Sequence, residues 1–226
     1  MACSTSQMAA TWKPVVVFLH GSGDNGPGLR SWLQELGFMK AMTALGVLVE
    51  TPSATPRPYR LMGGQISSVW FDRYDLHPDS KEHVESIEET FAKLDAFVTK
   101  FIASGTPPDK VVIGGFSMGG GMALQYAFRT KHKLGGVFAL SSYVNTDAAV
   151  YKLIAAANKD SLPPVFMRHG AADDFILTDW GRGTADHLSK LGVQVQFETV
   201  PGVAHMLVRS TTNELRNWLS ERLVRP

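Results

Sequence analysis

Short apolar runs alternate with helix-forming stretches along most of the chain, and this alternation restricts the fold more than any other feature. Val15 to Leu19 is a continuous apolar run with the length and branching of a buried parallel strand. The alternation predicts a doubly wound, mostly parallel α/β sheet, in which active residues gather on loops at the carboxyl ends of strands. The other predicted strands are 47–49, 111–113, 137–140, 165–167 and 193–200, and the predicted helices are about 29–45, 82–104, the stretch after 117, 146–157, 178–191 and 211–223.

One strand-to-helix junction carries a Gly-x-Ser-x-Gly pattern. The apolar run that starts at Val111 leads into Gly115-Phe116-Ser117-Met118-Gly119, and a helix-forming stretch follows at once. In this arrangement the serine lies on a sharp turn, and glycine two positions either side avoids a collision with the folded-back chain. The pattern therefore makes Ser117 a candidate nucleophile.

A serine nucleophile needs a base and an acid, which should follow it along the chain in the order Ser, Asp, His. Asp173 comes just after the predicted strand 165–167, and Asp147, after the previous strand, is the competing acid. Beyond Asp173 only His187 and His205 remain. His187 lies in a predicted amphipathic helix and is expected on its solvated face, so His205 is the better base. The remaining histidines are assigned no chemistry and have no metal-ligand spacing: His20, His77, His83, His132 and His169.

The loop after the first strand has two interpretations. As part of a hydrolase it supplies the second oxyanion donor, and we expect the backbone N–H of Ser22 to act together with that of Met118. The same loop, however, reads Gly21-x-Gly23-x-x-Gly26, and Glu50 ends the next strand where a ribose-binding acid would lie. An NAD(P)-dependent oxidoreductase is therefore an alternative. Pro27 and the glycine after it are expected to delay the helix that would bind the pyrophosphate.

Residues 51–80 are rich in Pro and Gly, have little periodicity, and are predicted to form a long loop of the kind that makes lids or binding sites. Apolar residues of this loop and of 174–180 are candidates for a substrate pocket. Trp70 and Phe71 are explained equally well as core residues. The pocket candidates are Leu61, Met62, Ile66, Trp70, Phe71, Phe175, Ile176 and Leu177.

Composition excludes several partners and locations. The net charge is +1, which does not favour nucleic acid or an anionic membrane as a partner. No apolar run approaches the roughly 20 residues of a membrane-spanning helix, and the N-terminus has no signal-peptide pattern. The single cysteine, Cys3, excludes an internal disulfide and predicts a cytoplasmic protein. An acyl chain on Cys3 is an alternative, but we expect an unmodified thiol. We expect a loose tail over 1–13 and one domain over 14–226, with no metal or cofactor.

Five segments together resemble the acyl-protein thioesterases and lysophospholipase-like carboxylesterases. They are His20-Gly21-Ser22-Gly23-Asp24, Gly64 with Trp70-Phe71-Asp72, the Ser117 motif, His169-Gly170-Ala171-Ala172-Asp173, and His205. The resemblance covers about residue 15 to the C-terminus. The segments 70–74 and 138–145 are most similar to the lysophospholipase-like protein one branch of that family.

The resemblance implies an α/β-hydrolase fold without a large cap domain. It places the nucleophile on Ser117, the acid on Asp173, the base on His205, and the oxyanion donors on Ser22 and Met118. It also implies cleavage of an acyl ester or thioester of a small molecule, a lipid or an S-acylated protein, with at most transient membrane contact. Short acyl chains are expected because the branch that this chain resembles tends toward short acyl esters. A long-chain protein depalmitoylase or lysophospholipase is the alternative, and the polar Ser22, where the thioesterases have an apolar residue, counts against it.

Overall fold

The computed structural model describes residues 12–224 and contains a six-stranded parallel sheet with the strand order β2-β1-β5-β6-β7-β8. Most of the predicted tail, including Cys3, lies outside the described residues. The remaining two strands, β3 and β4, form a separate antiparallel hairpin. The strands are β1 (Val15–Leu19), β2 (Leu48–Glu50), β3 (Pro56–Tyr59), β4 (Gln65–Ser68), β5 (Val111–Phe116), β6 (Gly136–Leu140), β7 (Val165–Gly170) and β8 (Val195–Val200).

Helices cover both faces of the six-stranded sheet, as the alternation predicts. Because side chains alternate along a strand, Val15 and Val17 of β1 face one core, whereas Val16 and Phe18 face the other. Helices α3 to α6 pack on the first side, and α1, α2 and α7 pack on the second. The helices are α1 (Gly26–Glu35), α2 (Phe38–Ala44), α3 (Val84–Ala103), α4 (Met118–Ala127), α5 (Ala149–Ala156), α6 (Thr178–Lys190) and α7 (Arg209–Leu223). None of the helices described over 12–224 is long and apolar enough to cross a membrane.

The structure corrects two of the predicted elements. The single helix predicted over 29–45 is two helices, α1 and α2, because Gly37 between them has a φ of 80°, a left-handed conformation that favours glycine. The segment 51–80 is not structureless, since β3 and β4 pair within it. Its hairpin contains Pro56 and Pro58, which are tolerated because no third strand needs their missing N–H groups.

The first turn of α1 also differs from expectation. Pro27 does not delay the helix; α1 begins at Gly26, with proline in its first turn, where an N–H is not needed. The Asn25 side chain caps this turn by accepting from the Gly28 N–H at 2.9 Å, and the Ser53 hydroxyl accepts from the Gly26 N–H at 2.9 Å. These N–H groups are therefore paired with protein atoms, and the pattern 21–26 does not form a pyrophosphate site.

Candidate active site

Ser117 lies on a strained turn between β5 and α4. Its backbone has φ 54° and ψ −124°, a conformation that a non-glycine residue rarely adopts. A Cβ on Gly115 would lie 2.3 Å from the Gly119 carbonyl carbon, and one on Gly119 would lie 2.4 Å from the Leu19 carbonyl oxygen. Both glycines are therefore required by the close approach of the backbone. The turn presents the serine side chain at the carboxyl end of the sheet, directly before the N-terminus of α4.

Ser117, His205 and Asp173 form a continuous hydrogen-bonded chain. His205 Nε2 lies 3.0 Å from Ser117 Oγ, and His205 Nδ1 lies 2.8 Å from Asp173 Oδ2. The Asp173 side chain is fully buried, and its other oxygen accepts from the backbone N–H groups of Phe175 at 3.1 Å and Ile176 at 2.9 Å. These donors orient the carboxylate toward the imidazole.

The two competing residues lie elsewhere. Asp147 is exposed on the loop after β6 and makes no hydrogen bond to His205. His187 is on α6, as expected, but it is half-buried rather than fully solvated, and its ring stacks on Tyr151 with centroids 3.8 Å apart. The structure therefore brings Asp173 and His205, and neither competitor, to Ser117.

Aromatic rings hold His205 in place. The ring centroids of Phe116 and Phe175 lie 4.8 Å and 5.1 Å from that of His205, and Trp32 packs edge-on against Phe116. Phe116 is inside the serine motif, whereas Trp32 comes from α1 and no sequence pattern indicated it. These rings make one apolar wall of the site.

The two expected oxyanion donors line the same cavity as Ser117. Met118 is the first residue of α4, so its N–H lies at the positive end of the helix dipole, and Ser22 is in the loop after β1. Gly21 packs against Phe116 and Ser117, and an added Cβ there would meet the Phe116 ring at 3.3 Å. The first loop therefore lies close enough to the serine for its backbone to face a substrate carbonyl.

A cavity of about 540 Å³ opens above Ser117. Of the eight pocket candidates, Leu61, Met62, Phe175 and Ile176 line it. The other four were wrongly placed. Trp70 and Phe71 are core residues, and Trp70 is held under the first loop by its Nε1–H bond to the His20 carbonyl at 2.8 Å. Ile66, on the β3–β4 hairpin, and Leu177 are exposed and are not among the residues that line the cavity.

A polar part of the cavity wall was not predicted from the sequence. Arg73 donates from Nη1 to the Tyr143 hydroxyl, and both residues are buried and line the cavity. Tyr59, at the end of β3, also lines the cavity, and burial raises the pKa of its hydroxyl. The only signal for Arg73 in the sequence was its place directly after Trp70-Phe71-Asp72. The other lining residues that were not predicted are Asp24, Leu76, Ser141 and Ser142.

Two histidines that were assigned no chemistry are buried beside the site. His20 Nε2 accepts from the Ala54 N–H at 3.0 Å while its Nδ1 bonds the Gly21 carbonyl at 2.7 Å, so the ring is neutral with its proton on Nδ1. His169, on β7, donates from Nε2 to the Ile176 carbonyl at 2.8 Å, and its Nε2 lies 3.4 Å from Asp173 Oδ2. Burial lowers the pKa of both histidines. They support the loops that carry Ser22 and Asp173.

This burial predicts a loss of stability in mild acid. Because the folded-state pKa of His20 and of His169 is lowered, the unfolded chain binds more protons once the pH falls through about 6.5, the unfolded value. The free energy of unfolding should then fall by up to about 1.4 kcal/mol per pH unit for each histidine until the folded-state values are reached. Urea unfolding at pH 7.5 and 5.5 measures this. In His20→Gln the free energy of unfolding should change with pH by roughly half as much as in wild type. An identical pH dependence in both proteins would contradict the assignment to His20.

Among residues 12–224 no group of three or more His, Cys, Asp or Glu side chains is arranged to hold a metal ion.

A parallel sheet with a serine on a strand-to-helix turn, whose side chain is hydrogen-bonded to a histidine that is bonded in turn to an aspartate, both from later loops, defines the α/β-hydrolase class. The sequence model of the phospholipase/carboxylesterase family matches residues 4–223, and the chain belongs to this family.

Individual relatives agree with the family. The chain is 36% identical over 208 residues to mouse lysophospholipase-like protein 1, covering 92% of this chain and 86% of the relative. It is 31% identical over 227 residues to acyl-protein thioesterase 1 of Debaryomyces hansenii, covering 96% of each. The crystal structure of Arabidopsis thaliana SOBER1 superposes with a TM-score of 0.83 at 26% identity, covering 93% of this chain and 99% of that one. The predicted resemblance and fold class are confirmed, and the chain is an ester hydrolase rather than an oxidoreductase.

Proposed function

We propose that Ser117, His205 and Asp173 form a catalytic triad that cleaves acyl esters or thioesters through an acyl-enzyme. The continuous Ser117–His205–Asp173 hydrogen-bonded chain is the observation that carries this proposal. His205 Nε2 takes the hydroxyl proton as Ser117 Oγ attacks the substrate carbonyl, and then gives it to the leaving oxygen or sulfur. Water, activated by the same imidazole, attacks the acyl-enzyme and releases the acid.

Asp173 and the backbone supply the electrostatic part of this mechanism. The Asp173 carboxylate holds His205 in the tautomer whose Nε2 is free to accept, and it stabilises the imidazolium without being protonated itself. The N–H groups of Ser22 and Met118 donate to the oxygen that becomes negative in the tetrahedral intermediate. Both residues line the cavity at Ser117, which supports this assignment.

The substrate is proposed to be a short-chain acyl ester or thioester. The names of the relatives, lysophospholipase-like protein and acyl-protein thioesterase, point to acyl groups on oxygen or sulfur. The short-chain preference is supported by the polar part of the wall, since Ser22, Tyr59 and Arg73 interrupt the apolar lining that a long chain would need. A cytoplasmic location belongs to this proposal and is supported by the single cysteine, Cys3, which allows no internal disulfide.

Two measurements test the proposal. A fluorophosphonate probe should label the native protein, and mass spectrometry should find the adduct on the peptide that contains Ser117. A p-nitrophenyl ester panel from acetate to palmitate should then give kcat/KM highest for the short acyl groups. Absence of labelling would contradict the triad. Labelling together with a maximum at palmitate would retain the triad and contradict the short-chain preference.

Asp173→Asn should lower kcat by on the order of 10³- to 10⁴-fold. The amide can offer its N–H to His205 Nδ1 and so favour the wrong tautomer, in which Nε2 carries the proton and cannot act as a base. The exposed neighbour Asp174 is the matched control, and Asp174→Asn should retain nearly full activity. Initial rates with p-nitrophenyl butyrate measure both variants. Equal effects of the two substitutions would contradict the role of Asp173.

A further inference from the structure

Arg73 is a buried cation in the wall of the catalytic cavity with no anionic partner. Its exposed fraction is 7%, and among residues 12–224 no carboxylate oxygen lies within 4.0 Å of its guanidinium. The nearest carboxylate along the chain, Asp72, is used by Arg60, whose Nε lies 2.8 Å from Asp72 Oδ2. The backbone N–H of Arg73, not its guanidinium, donates to Asp72 Oδ1 at 2.9 Å. A buried charge without a counter-ion is costly, so its place in this wall needs an explanation.

The groups that do contact the guanidinium are neutral. It lies over the rings of Phe71 and Tyr143, 4.8 Å and 4.9 Å from their centroids, and donates from Nη1 to the Tyr143 hydroxyl. Burial raises the pKa of Tyr143 and of Tyr59, so neither phenol supplies a negative charge at neutral pH. The aromatic faces offset part of the desolvation of Arg73 and leave its charge uncompensated.

The same part of the wall has unused hydrogen-bonding capacity. Arg73 Nε is buried and has no acceptor, and the hydroxyl of Ser142, which also lines the cavity, is buried without a partner. Buried polar groups are normally paired, so two unpaired ones on residues that line a single cavity need an explanation. A donor-rich site built on a planar guanidinium is suited to a carboxylate, which can accept two parallel N–H bonds.

Arg73 and His205 line the same cavity but pack against different aromatic side chains. The leaving group must take its proton from His205, whose side of the cavity is formed by Phe116 and Phe175. Arg73, which lines the same cavity, lies instead over the rings of Phe71 and Tyr143. A group that remains attached to Ser117 in the acyl-enzyme and occupies this part of the cavity would meet Arg73.

We propose that Arg73 binds a carboxylate carried by the acyl group, so that the preferred substrates are half-esters or half-thioesters of short dicarboxylic acids. This inference rests on the proposed triad and defines its substrate class. The reaction is unchanged: Ser117 Oγ bonds the acyl carbon, the bond to the leaving group breaks, and water releases a free dicarboxylate. Arg73 is thereby a specificity-determining residue that contacts substrate and takes no part in proton transfer.

The test compares matched substrates on the same enzyme. The carboxylate substrates are the mono(4-nitrophenyl) esters of glutarate and adipate, and each neutral counterpart is the methyl 4-nitrophenyl diester of the same acid. Rates without enzyme are subtracted, because the free carboxylate can attack its own ester. The wild-type kcat/KM should favour at least one carboxylate substrate by on the order of 10-fold, and Arg73→Met should lower this preference by about 10- to 100-fold. Because each ratio is taken within one protein, a partial loss of folded enzyme cancels.

Two further variants complete the experiment. Arg73→Lys keeps the charge but not the planar fork, so its preference should lie between those of wild type and Arg73→Met. Arg60→Met removes a half-exposed cation from the same segment and should retain the wild-type preference. The proposal is overturned if wild type favours both neutral diesters, or if Arg73→Met and Arg73→Lys keep the wild-type ratio. Failure of the triad proposal gives a different result, because the hydrolysis rates of both the carboxylate and the neutral substrates would then not depend on Ser117.

Discussion

Ser117→Ala is expected to lower kcat for p-nitrophenyl butyrate by on the order of 10⁴-fold or more while the protein stays folded. The substitution removes a single oxygen atom, and without it no acyl-enzyme can form; the remaining acceleration comes from binding and the oxyanion donors alone. Alanine keeps the Cβ of serine, so the strained backbone at φ 54° is no harder to form. The hydrogen bond to His205 is lost, which should change the free energy of unfolding by about 1 kcal/mol.

The experiment needs initial rates, a fluorophosphonate labelling reaction and a thermal unfolding curve for each protein. Ser189 is exposed on α6, and Ser189→Ala is the matched control that should keep wild-type rate and labelling. A Ser117→Ala protein with more than about a tenth of the wild-type rate would contradict the assignment of the nucleophile. The unfolding curve separates this result from a loss of folded protein.

His205→Ala should reduce kcat about as strongly as Ser117→Ala, because a serine hydroxyl without a base is a weak nucleophile. His187→Ala is the comparison, since sequence order left His187 as the only other candidate base. His187 packs on Tyr151, so its loss should lower stability by about 1 kcal/mol or less and leave kcat near the wild-type value. Rates for both variants at pH 8 measure the difference, and similar losses in the two would contradict the base assignment.

The double variant Ser117→Ala/His205→Ala adds a sharper criterion. Residues that act as one unit are not additive, so the double variant should be no slower than either single variant. Two independent contributions would instead multiply their effects. Multiplicative losses would show that His205 affects the rate by another route than activating Ser117.

The sequence contained most of the information about the sheet. Val15–Leu19 and the runs near Val111 and Val165 are buried on both faces, so a continuous apolar stretch is enough to predict them. The hairpin of β3 and β4 escaped detection because both of its faces are largely solvated, and the Pro-rich β3 has no apolar alternation. The break at Gly37 was missed because a glycine within an amphipathic pattern signals only a weakened helix.

The site residues also divide into those that a sequence pattern predicted and those that it did not. Ser117 has a motif with its own backbone requirement, and the order of Asp173 and His205 after it follows from the chain path of this class of fold. The cavity wall had no comparable signal. Trp70 and Phe71 matched the composition of a pocket but are core residues, whereas Arg73, two residues further along, lines the cavity.

The sequence by itself determined the parallel sheet, the serine turn and the three residues that the structure joins by hydrogen bonds, because each depends on local periodicity, a local steric requirement or order along the chain. Only the tertiary structure decided what surrounds them. Arg73, Tyr143 and Ser22 come from segments far apart in sequence, and their meeting depends on how loops pack on the sheet edge. No local pattern encodes that packing. That Arg73 has no carboxylate partner among the residues described becomes evident only in the folded chain.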